Sequence, residues 1–200
     1  MTDVILSTTF FGPIQWYQKI NRYDNVAIDC SERFLKQTYR NRCIIATTNG
    51  LQALTVPVEH SYMQMVRDIR ISDHNNWRHQ HWYALKSAYS ESPFYEYYAD
   101  DIRPFFERKW DFLYDYNQAI VEKMCELLQI DMTAVSGITD SDMPASRDFR
   151  NIIQPKHPGE DPEFESRPYY QVFQRKHGFL PNLSILDLLF NMGPEGIFYL

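Results

Sequence analysis

The sequence predicts an α/β (or α+β) fold: a small mixed sheet with an N-terminal βαβ unit and a hairpin, covered by amphipathic helices. Three observations predict this. A strand–helix–strand pattern occupies residues 4–30, a hairpin signal follows at Asn49-Gly50, and helical apolar periodicity dominates from residue 77 onwards. The chain has 200 residues and an apolar content of 44%, which fit a single folded domain over residues 1–200.

The βαβ unit comes first. Val4–Ser7 has the apolar run of a short buried strand, and Pro13 suits the first turn of a helix, where its missing N–H is not needed. Helical spacing of apolar residues predicts a helix over Pro13–Tyr23, and Val26–Cys30 is a second strand. This order predicts parallel strands in a right-handed unit, whose ligands bind beyond the carboxyl ends of the strands.

A hairpin and a further strand follow. β-Forming residues at 43–48 precede Asn49-Gly50, which is a strong two-residue turn signal. Apolar residues alternate over Leu54–Val58, so the return strand buries one face, while Pro57 places that strand at an edge or a bulge. Alternation over 69–71 predicts another short, half-buried strand.

The middle of the chain is predicted to be helical. Asp73 or Asn75 is placed to cap a helix with one apolar stripe, which holds Trp77, His81, Leu85 and Ala88. Beyond Pro93, a longer amphipathic helix is predicted from about Pro104. Its apolar positions are Phe106, Trp110, Leu113, Ile120, Met124 and Leu127.

Residues 139–168 have a different character. They hold five of the eleven prolines, carry charges of both signs and show no period. Long loops in compact domains are either disordered or functional. We therefore predict one Pro-rich loop with a lid role and no domain boundary.

The C-terminal part returns to regular structure. Tyr169–Phe173 and Ile197–Leu200 are predicted strands. Between them, Ser184 and Asp187 predict an N-cap and a capping-box acid, and Gly193-Pro194 ends that helix.

The charge of the chain is uneven. The net charge is −6 and the pI is about 5.5, which argues against a general nucleic-acid binder, because such a protein needs a broad basic face. Residues 31–50 oppose this trend, because their one acidic residue is Glu32 and their basic residues are Arg33, Lys36, Arg40 and Arg42. A local basic cluster predicts an anionic ligand, and Arg forks bind phosphate or carboxylate. A nucleotide-sugar, an acyl phosphate or a CoA-type donor fits, although a solvated charge run is the alternative.

Cysteines and apolar runs set the expected compartment. The three cysteines show no metal-type spacing, so reduced thiols in a cytoplasmic protein are the simplest interpretation. The chain shows no signal-peptide pattern at its start and no apolar run near the roughly 20 residues that span a membrane, so we expect no membrane insertion.

Three histidines lie close together in the sequence. His74, His79 and His81 invite a metal hypothesis, but on a helix His79 and His81 point to different sides and cannot share one ion. We therefore expect no metal site. A single histidine acting as general base is the stronger hypothesis, because its pKa lies near neutrality.

Several segments together resemble the WbqC-like protein family. These are Phe179–Gly193, Tyr39–Ile45, Leu54–Val58 and Asn76–His79, in the order in which that family has similar motifs. The resemblance covers nearly the whole chain. One departure lies at Ser7–Tyr17, where the aromatic residues and the proline remain but the family's leading Gln-Pro pair is absent.

The resemblance implies a pathway more firmly than a reaction. The family is associated with bacterial surface-polysaccharide (O-antigen, lipopolysaccharide) biosynthesis, and some members are labelled as transferring an acyl or aminoacyl group. It implies binding roles for Arg40, Asn41 and Arg42 beside Lys36, and it makes His79 the candidate catalytic base. Trp77 in the same motif and Gln171 on the predicted strand are further candidate substrate contacts.

Two functions therefore remain open from the sequence. The first is a transferase that uses an anionic activated donor and a sugar acceptor. The second is a non-catalytic protein of the same pathway that binds sugar-nucleotides or partner proteins. The sequence does not identify a cofactor, and a homo-oligomer is a further expectation.

Overall fold

The structure is a computed structural model that describes residues 2–59, 64–133, 135–138 and 145–200. Its strands are β1 (Thr2–Ser7), β2 (Val26–Asp29), β3 (Arg42–Thr47), β4 (Gly50–Thr55), β5 (Val58–Glu59), β6 (Arg70–Ile71), β7 (Val135–Ile138) and β8 (Ala145–Asp148). Its α-helices are α1 (Ile14–Arg22), α2 (Trp77–Tyr89), α3 (Tyr95–Ile102), α4 (Pro104–Glu107), α5 (Leu113–Leu128), α6 (Gln174–His177) and α7 (Ile185–Met192). Short 3-10 helices occupy Val66–Asp68, His74–Asn76 and Gly193–Tyr199.

The main sheet is parallel, and its strand order is β7–β2–β1–β8. β1 pairs with β2 so that Ser7 lies opposite Asp29, which confirms the predicted βαβ unit. From β1 the chain moves to one side of the sheet for β2 and β7, and β8 then pairs with the other side of β1. The gap between β1 and β8 is therefore a topological switch point, where ligands of open α/β sheets bind beyond the carboxyl ends of the strands.

The antiparallel strands form two separate two-stranded sheets, and the α/β fold class is confirmed. The hairpin of β3 and β4 is also confirmed, but its turn differs from the prediction. Thr47 pairs with Gly50, so the two loop residues are Thr48 and Asn49. Gly50, the first residue of β4, has a φ of +102°, a backbone conformation that favours glycine. The strand predicted at 69–71 is the short β6, which pairs with β5.

The predicted apolar stripe of α2 is confirmed, because Trp77, His81, Leu85 and Ala88 are buried. Its predicted cap is not. Asp73 precedes the 3-10 helix and makes no side-chain capping bond, and Asn75 lies inside that helix. The residue that precedes α2 is Asn76, which makes no side-chain capping bond either.

The single long helix predicted from Pro104 is wrong. α4 ends at Glu107 and α5 begins at Leu113, with Trp110 in the break. The backbone of this break hydrogen-bonds to the β6 region, where Ile71 donates to Asp111 and Leu113 donates to Ile69. These bonds replace the helical bonds that a continuous helix would need.

The single loop predicted over 139–168 is also corrected. Ala145–Asp148 is the edge strand β8, and residues 139–144 lie outside the described ranges. Residues 161–165, which we call the strap, lie along α1. Lys19 of α1 and Asp161 form an ion pair of 2.7 Å, and both side chains are buried.

The last two predicted strands are absent from the described C-terminal part. Tyr169–Phe173 has no strand partner there, and residues 193–199 form a 3-10 helix. The helix between them is α7, and the Ser184 cap is confirmed because its Oγ accepts from the N–H of Leu186. Asp187 does not act as a capping acid. It is buried and accepts hydrogen bonds from the hydroxyls of Tyr89 and Tyr169.

None of the helices within the described ranges is long and apolar enough to cross a bilayer.

Candidate functional site

Charged side chains gather at the carboxyl ends of β1, β2 and β8. Ser7 ends β1, Asp29 ends β2 and Asp148 ends β8. Arg150 follows β8 by two residues, and the loop after β2 carries Glu32. Because these strands are parallel neighbours, their ends meet at one edge of the sheet.

The first group at this edge consists of Ser7, Glu32 and Arg40. Arg40 binds the Glu32 carboxylate with two hydrogen bonds, from Nε at 2.9 Å and from Nη2 at 2.5 Å. Ser7 Oγ accepts from Arg40 Nη2 at 2.8 Å and donates to Glu32 Oε2 at 3.0 Å. Burial raises the pKa of Glu32, while Arg40 and Ser7 act to lower it. The carboxylate is thus a buried group whose charge depends on the arginine.

The second group consists of Asp29, Asp148 and Arg150. Arg150 Nη1 lies 2.6 Å from Asp29 Oδ2, and Nη2 lies 2.7 Å from Asp148 Oδ2. Asp29 Oδ1 accepts from the backbone N–H of Ser31 at 2.8 Å and of Glu32 at 3.0 Å. This local turn folds the chain back after β2 and brings Glu32 over the end of β1.

A cleft of about 330 Å³ opens beside both groups, and we call it the switch-point cleft. Its lining residues are Ser31, Glu32, Arg33, Leu35, Arg40, Arg150 and Asn151. The Arg33 side chain has no ion-pair partner among the described residues. Arg40 uses Nε and Nη2 for its hydrogen bonds, and its Nη1 donates none to the described residues. These N–H groups can therefore donate to a bound anion.

A second cleft, which we call the helical cleft, lies between α2 and α4 and measures about 540 Å³. It contains His79, whose ring centroid lies 4.3 Å from that of Tyr83, with the two planes tilted by 33°. Its other lining residues are Asp73, Asn76, Arg78, Trp82, Arg103, Phe106, Glu107 and Lys109. The two clefts share no lining residue, so the structure does not bring Arg40 and His79 to one site.

Three other predicted binding residues of the basic cluster line neither cleft. Lys36 is exposed on the loop before β3. Arg42 is half-buried at the start of β3, where its Nε donates to Thr55 Oγ1 at 3.1 Å. Asn41 is buried, and its Nδ2 donates to the Val56 carbonyl at 2.8 Å. The contacts of Arg42 and Asn41 thus tie β3 to the return strand.

Trp77 and Gln171 lie in the core. Trp77 is 4% exposed and its Nε1 donates to the Ser72 carbonyl at 2.9 Å. Gln171 is 2% exposed and exchanges two hydrogen bonds of 2.9 Å with the backbone of Leu180. Neither side chain therefore lies where a ligand reaches it.

The other two histidines of the predicted cluster, His74 and His81, differ in their surroundings. His74 is exposed, whereas His81 is buried against Phe10, Trp77 and Phe106. Burial lowers the pKa of His81 to about 4. No group of three or more His, Cys, Asp or Glu side chains within the described ranges is placed to hold a metal ion.

Sequence reasoning missed several residues of the switch-point cleft. The predicted strand end at Asp29 was a usable signal for Asp29 and Glu32, since ligands gather at such ends. Arg150 gave no such signal, because its strand β8 lies among the prolines of the predicted loop.

The departure from the resembled motif lies next to Ser7. Thr8 and Thr9 of this stretch are buried, and neither hydroxyl has a hydrogen-bond partner among the described residues. A Cβ at Gly12 would lie 2.4 Å from Thr9 Oγ1, so this turn requires glycine while Thr9 stands there.

Comparison with known proteins gives a family but no solved fold. The profile of the WbqC-like protein family matches residues 8–154. An uncharacterized protein of Mycobacterium tuberculosis, Rv1507c, is 29% identical over 218 aligned positions, which cover 96% of this chain and 91% of that protein. No solved structure matches the chain. Because the matched region spans more than half of its residues, the chain belongs to the WbqC-like protein family.

Proposed function

We propose that this protein binds an anionic activated donor in the switch-point cleft and transfers an acyl, aminoacyl or related group to a sugar in bacterial surface-polysaccharide (O-antigen-type) biosynthesis. The observation that carries the proposal is the pair of available guanidinium donors, on Arg33 and Arg40, at the switch point of a parallel sheet. The pathway comes from what the family resemblance implies. The donor is of the nucleotide-sugar, acyl-phosphate or CoA type, since each presents oxyanions to arginine.

The buried ion pairs support a functional edge rather than a purely structural one. Replacing a buried ion pair by apolar residues is often neutral or stabilising, so such pairs are weak contributors to stability. Here, Arg40 with Glu32 and Arg150 with Asp29 lie side by side at the position where ligands of this sheet type bind. Within the proposal, Arg40 and Arg33 hold the donor's oxyanion.

Glu32 is the proposed proton acceptor for the sugar hydroxyl. Its carboxylate lines the cleft, and burial raises its pKa towards the range that suits a general base. We replace His79 in this role because His79 lines the other cleft. In this proposal the sugar acceptor enters the switch-point cleft beside Glu32.

The binding part is tested by thermal shift and calorimetry with inorganic pyrophosphate, coenzyme A and a nucleotide-sugar. A ligand at 100 times its Kd adds about 2.7 kcal/mol of stability. Arg33→Ala should weaken binding about tenfold or more, because it removes a charged donor from the cleft. Lys36→Ala is the matched control, since Lys36 is exposed and outside the lining. Equal loss in both variants would mean that diffuse charge attracts the anion.

The transfer step is tested by mass spectrometry of donor and sugar-acceptor mixtures. Glu32→Gln should reduce turnover by about 10²-fold or more with donor affinity retained, as expected for loss of a general base. Circular dichroism of the variant checks that the fold survives. Full turnover by a folded Glu32→Gln protein would exclude this role.

The second candidate function is a non-catalytic binding protein of the same pathway. The separation of the only proposed catalytic histidine, His79, from the cleft that holds Arg40 favours it. Tight binding of an anionic donor with no transfer product in any mixture would support this alternative. Any transfer product would rule it out.

A further inference from the structure

The helical cleft is a separate ligand-sized site that the proposed transfer reaction does not use. Its volume of about 540 Å³ lies within the range of roughly 300–1,000 Å³ that is usual for small-molecule pockets. No residue of the switch-point cleft belongs to its lining. Whatever binds here is therefore recognised by its own set of side chains.

One wall of this cleft is an open aromatic surface. His79 and Tyr83 are one turn apart on α2, and their ring centroids lie 4.3 Å apart with the planes tilted by 33°. Tyr83 is 55% exposed, so part of its ring is open to solvent. Trp82 and Phe106, 6.0 Å apart, supply apolar surface beside them. A planar base can stack on such an exposed ring.

In another part of the cleft, the side-chain carboxylate of Asp73 lies between two cationic side chains. The carboxylate of Asp73 lies 2.5 Å from Arg78 Nη1 and 2.7 Å from Lys109 Nζ. Hydrogen bonds from Lys109 and Arg78 lower the pKa of Asp73. The Arg78 guanidinium is fixed in place by its contact with the Trp77 ring, at 4.6 Å. The Asp73 oxygens show where this pair of cations accepts negative charge.

The Asp73 carboxylate can be exchanged for a ligand at little cost. Its side chain is 47% exposed and that of Lys109 is 79% exposed, so their ion pair has small net worth. Asp73 makes no side-chain capping bond to the 3-10 helix that follows it, so its displacement breaks no capping bond of that helix. A phosphate carries more charge than a carboxylate and is the stronger partner for the two cations.

The backbone beside this position is strained. Asn75 and Asn76 are consecutive residues with positive φ, at +63° and +47°. Such strain clusters at functional sites, where the surrounding structure maintains it. Here the two strained residues form the turn that joins Asp73 to α2, which carries His79 and Tyr83. This turn therefore determines how the charged part of the cleft is positioned relative to its aromatic wall.

We propose that the helical cleft binds a nucleoside phosphate, with the base stacked on Tyr83 and a phosphate held by Arg78 and Lys109 in place of the Asp73 carboxylate. This site is separate from the proposed donor site. The proposal for the helical cleft therefore does not depend on whether a donor binds in the switch-point cleft. The ligand is a second substrate or a regulator, because the two clefts share no residue.

Isothermal titration of the full chain with ADP and UDP tests this, with adenosine and inorganic pyrophosphate as partial ligands. Both diphosphates should bind more tightly than either partial ligand. Tyr83→Ala should weaken binding about 5- to 100-fold, which is the value of stacking one base. Lys109→Met should weaken it at least about fivefold. Both side chains are exposed, so these variants are expected to fold.

Asp73→Asn gives the most specific result. Removal of the competing carboxylate should strengthen nucleotide binding by about two- to fivefold, whereas a merely structural Asp73 would weaken it or leave it unchanged. Lys36→Ala is the matched control and should leave the Kd unchanged, because Lys36 is exposed and lines neither cleft. Absence of binding to the wild-type protein at millimolar nucleotide would overturn the proposal. So would binding that depends on Arg33 and not on Tyr83, a result that would instead support the switch-point cleft.

Discussion

At the scale of single residues, two buried side chains have opposite pKa shifts. Burial lowers the pKa of His81 to about 4 and raises that of Asp187 to about 6. As pH falls below about 6.5, the unfolded chain binds a proton at His81 that the folded protein excludes, so folding becomes less favourable. Asp187 has the opposite effect. Its folded form binds a proton between about pH 6 and 4 before the unfolded form does, so folding becomes more favourable. The two effects partly cancel in the wild-type protein.

For His81→Leu, we predict a stability change relative to wild type that depends on pH. When the pH falls from 7 to 5, the free energy of unfolding of the variant should rise by about 2 kcal/mol relative to that of the wild type. The reason is that the variant lacks the histidine that binds a proton only in the unfolded chain. Urea unfolding at both pH values measures this difference. The same difference at pH 7 and pH 5 would contradict a lowered pKa for His81.

Asp187→Asn should show the opposite sign. The wild-type protein gains about 1 kcal/mol between pH 7 and pH 5 from protonation of the buried Asp187, and the variant lacks this gain. The same urea experiment therefore shows the variant falling behind the wild type as the pH is lowered. Parallel pH profiles of the two proteins would argue that Asp187 titrates normally.

At the scale of elements, local patterns predicted what local forces form. The hairpin β3–β4, helix α2 and helix α7 follow from turn residues and apolar periodicity, and the structure has all three. The break between α4 and α5 could not be predicted in this way, because the backbone of residues 108–112 bonds to β6, which is distant in sequence. A local helical period does not contain that partner.

Gly50 is the element-scale prediction. Its φ of +102° suits glycine, and a Cβ there would meet no atom within 4 Å. Gly50→Ala should therefore lower the free energy of unfolding by about 1 kcal/mol through backbone strain alone. Asn49→Ala, in the same turn with ordinary φ, is the control and should stay within about 0.5 kcal/mol of wild type.

Gly193→Ala should be more harmful than Gly50→Ala. It combines a φ of +55° with a Cβ that would lie 2.6 Å from the Phe94 ring. Equilibrium unfolding of the two variants compares strain alone with strain plus collision. Equal losses would mean that the Phe94 ring moves aside freely.

At the scale of the whole molecule, the strap fastens the late part of the chain to the first helix. Lys19 is 1% exposed and pairs with Asp161, while Gln15 and Gln18 on the same helix also hydrogen-bond to the strap. Burial lowers the pKa of Lys19, while the hydrogen bond to Asp161 acts to raise it. The buried charge of Lys19 is therefore stabilised by its ion pair with Asp161 of the strap.

Lys19→Met should destabilise the protein by about 3–5 kcal/mol, because it leaves Asp161 buried and unpaired. Lys19→Met with Asp161→Leu should recover much of that loss, since the unpaired charge is then gone. Urea unfolding of the wild type, both single variants and the double variant measures the coupling. A double variant as unstable as the sum of its singles would show that the pair does not act as a unit.

The sequence by itself determined the family, the α/β class, the βαβ unit, the hairpin and the basic cluster that contains Arg40, because each depends on neighbouring residues or on repeated spacing. Only the tertiary structure decided which of those residues meet. It paired Arg40 with Glu32 and Ser7, and it placed His79 in another cleft. It also added Arg150, which follows an edge strand that lies among the prolines of the predicted loop. Parallel pairing joins segments that are far apart in the chain, and the switch point exists only once β8 pairs with β1.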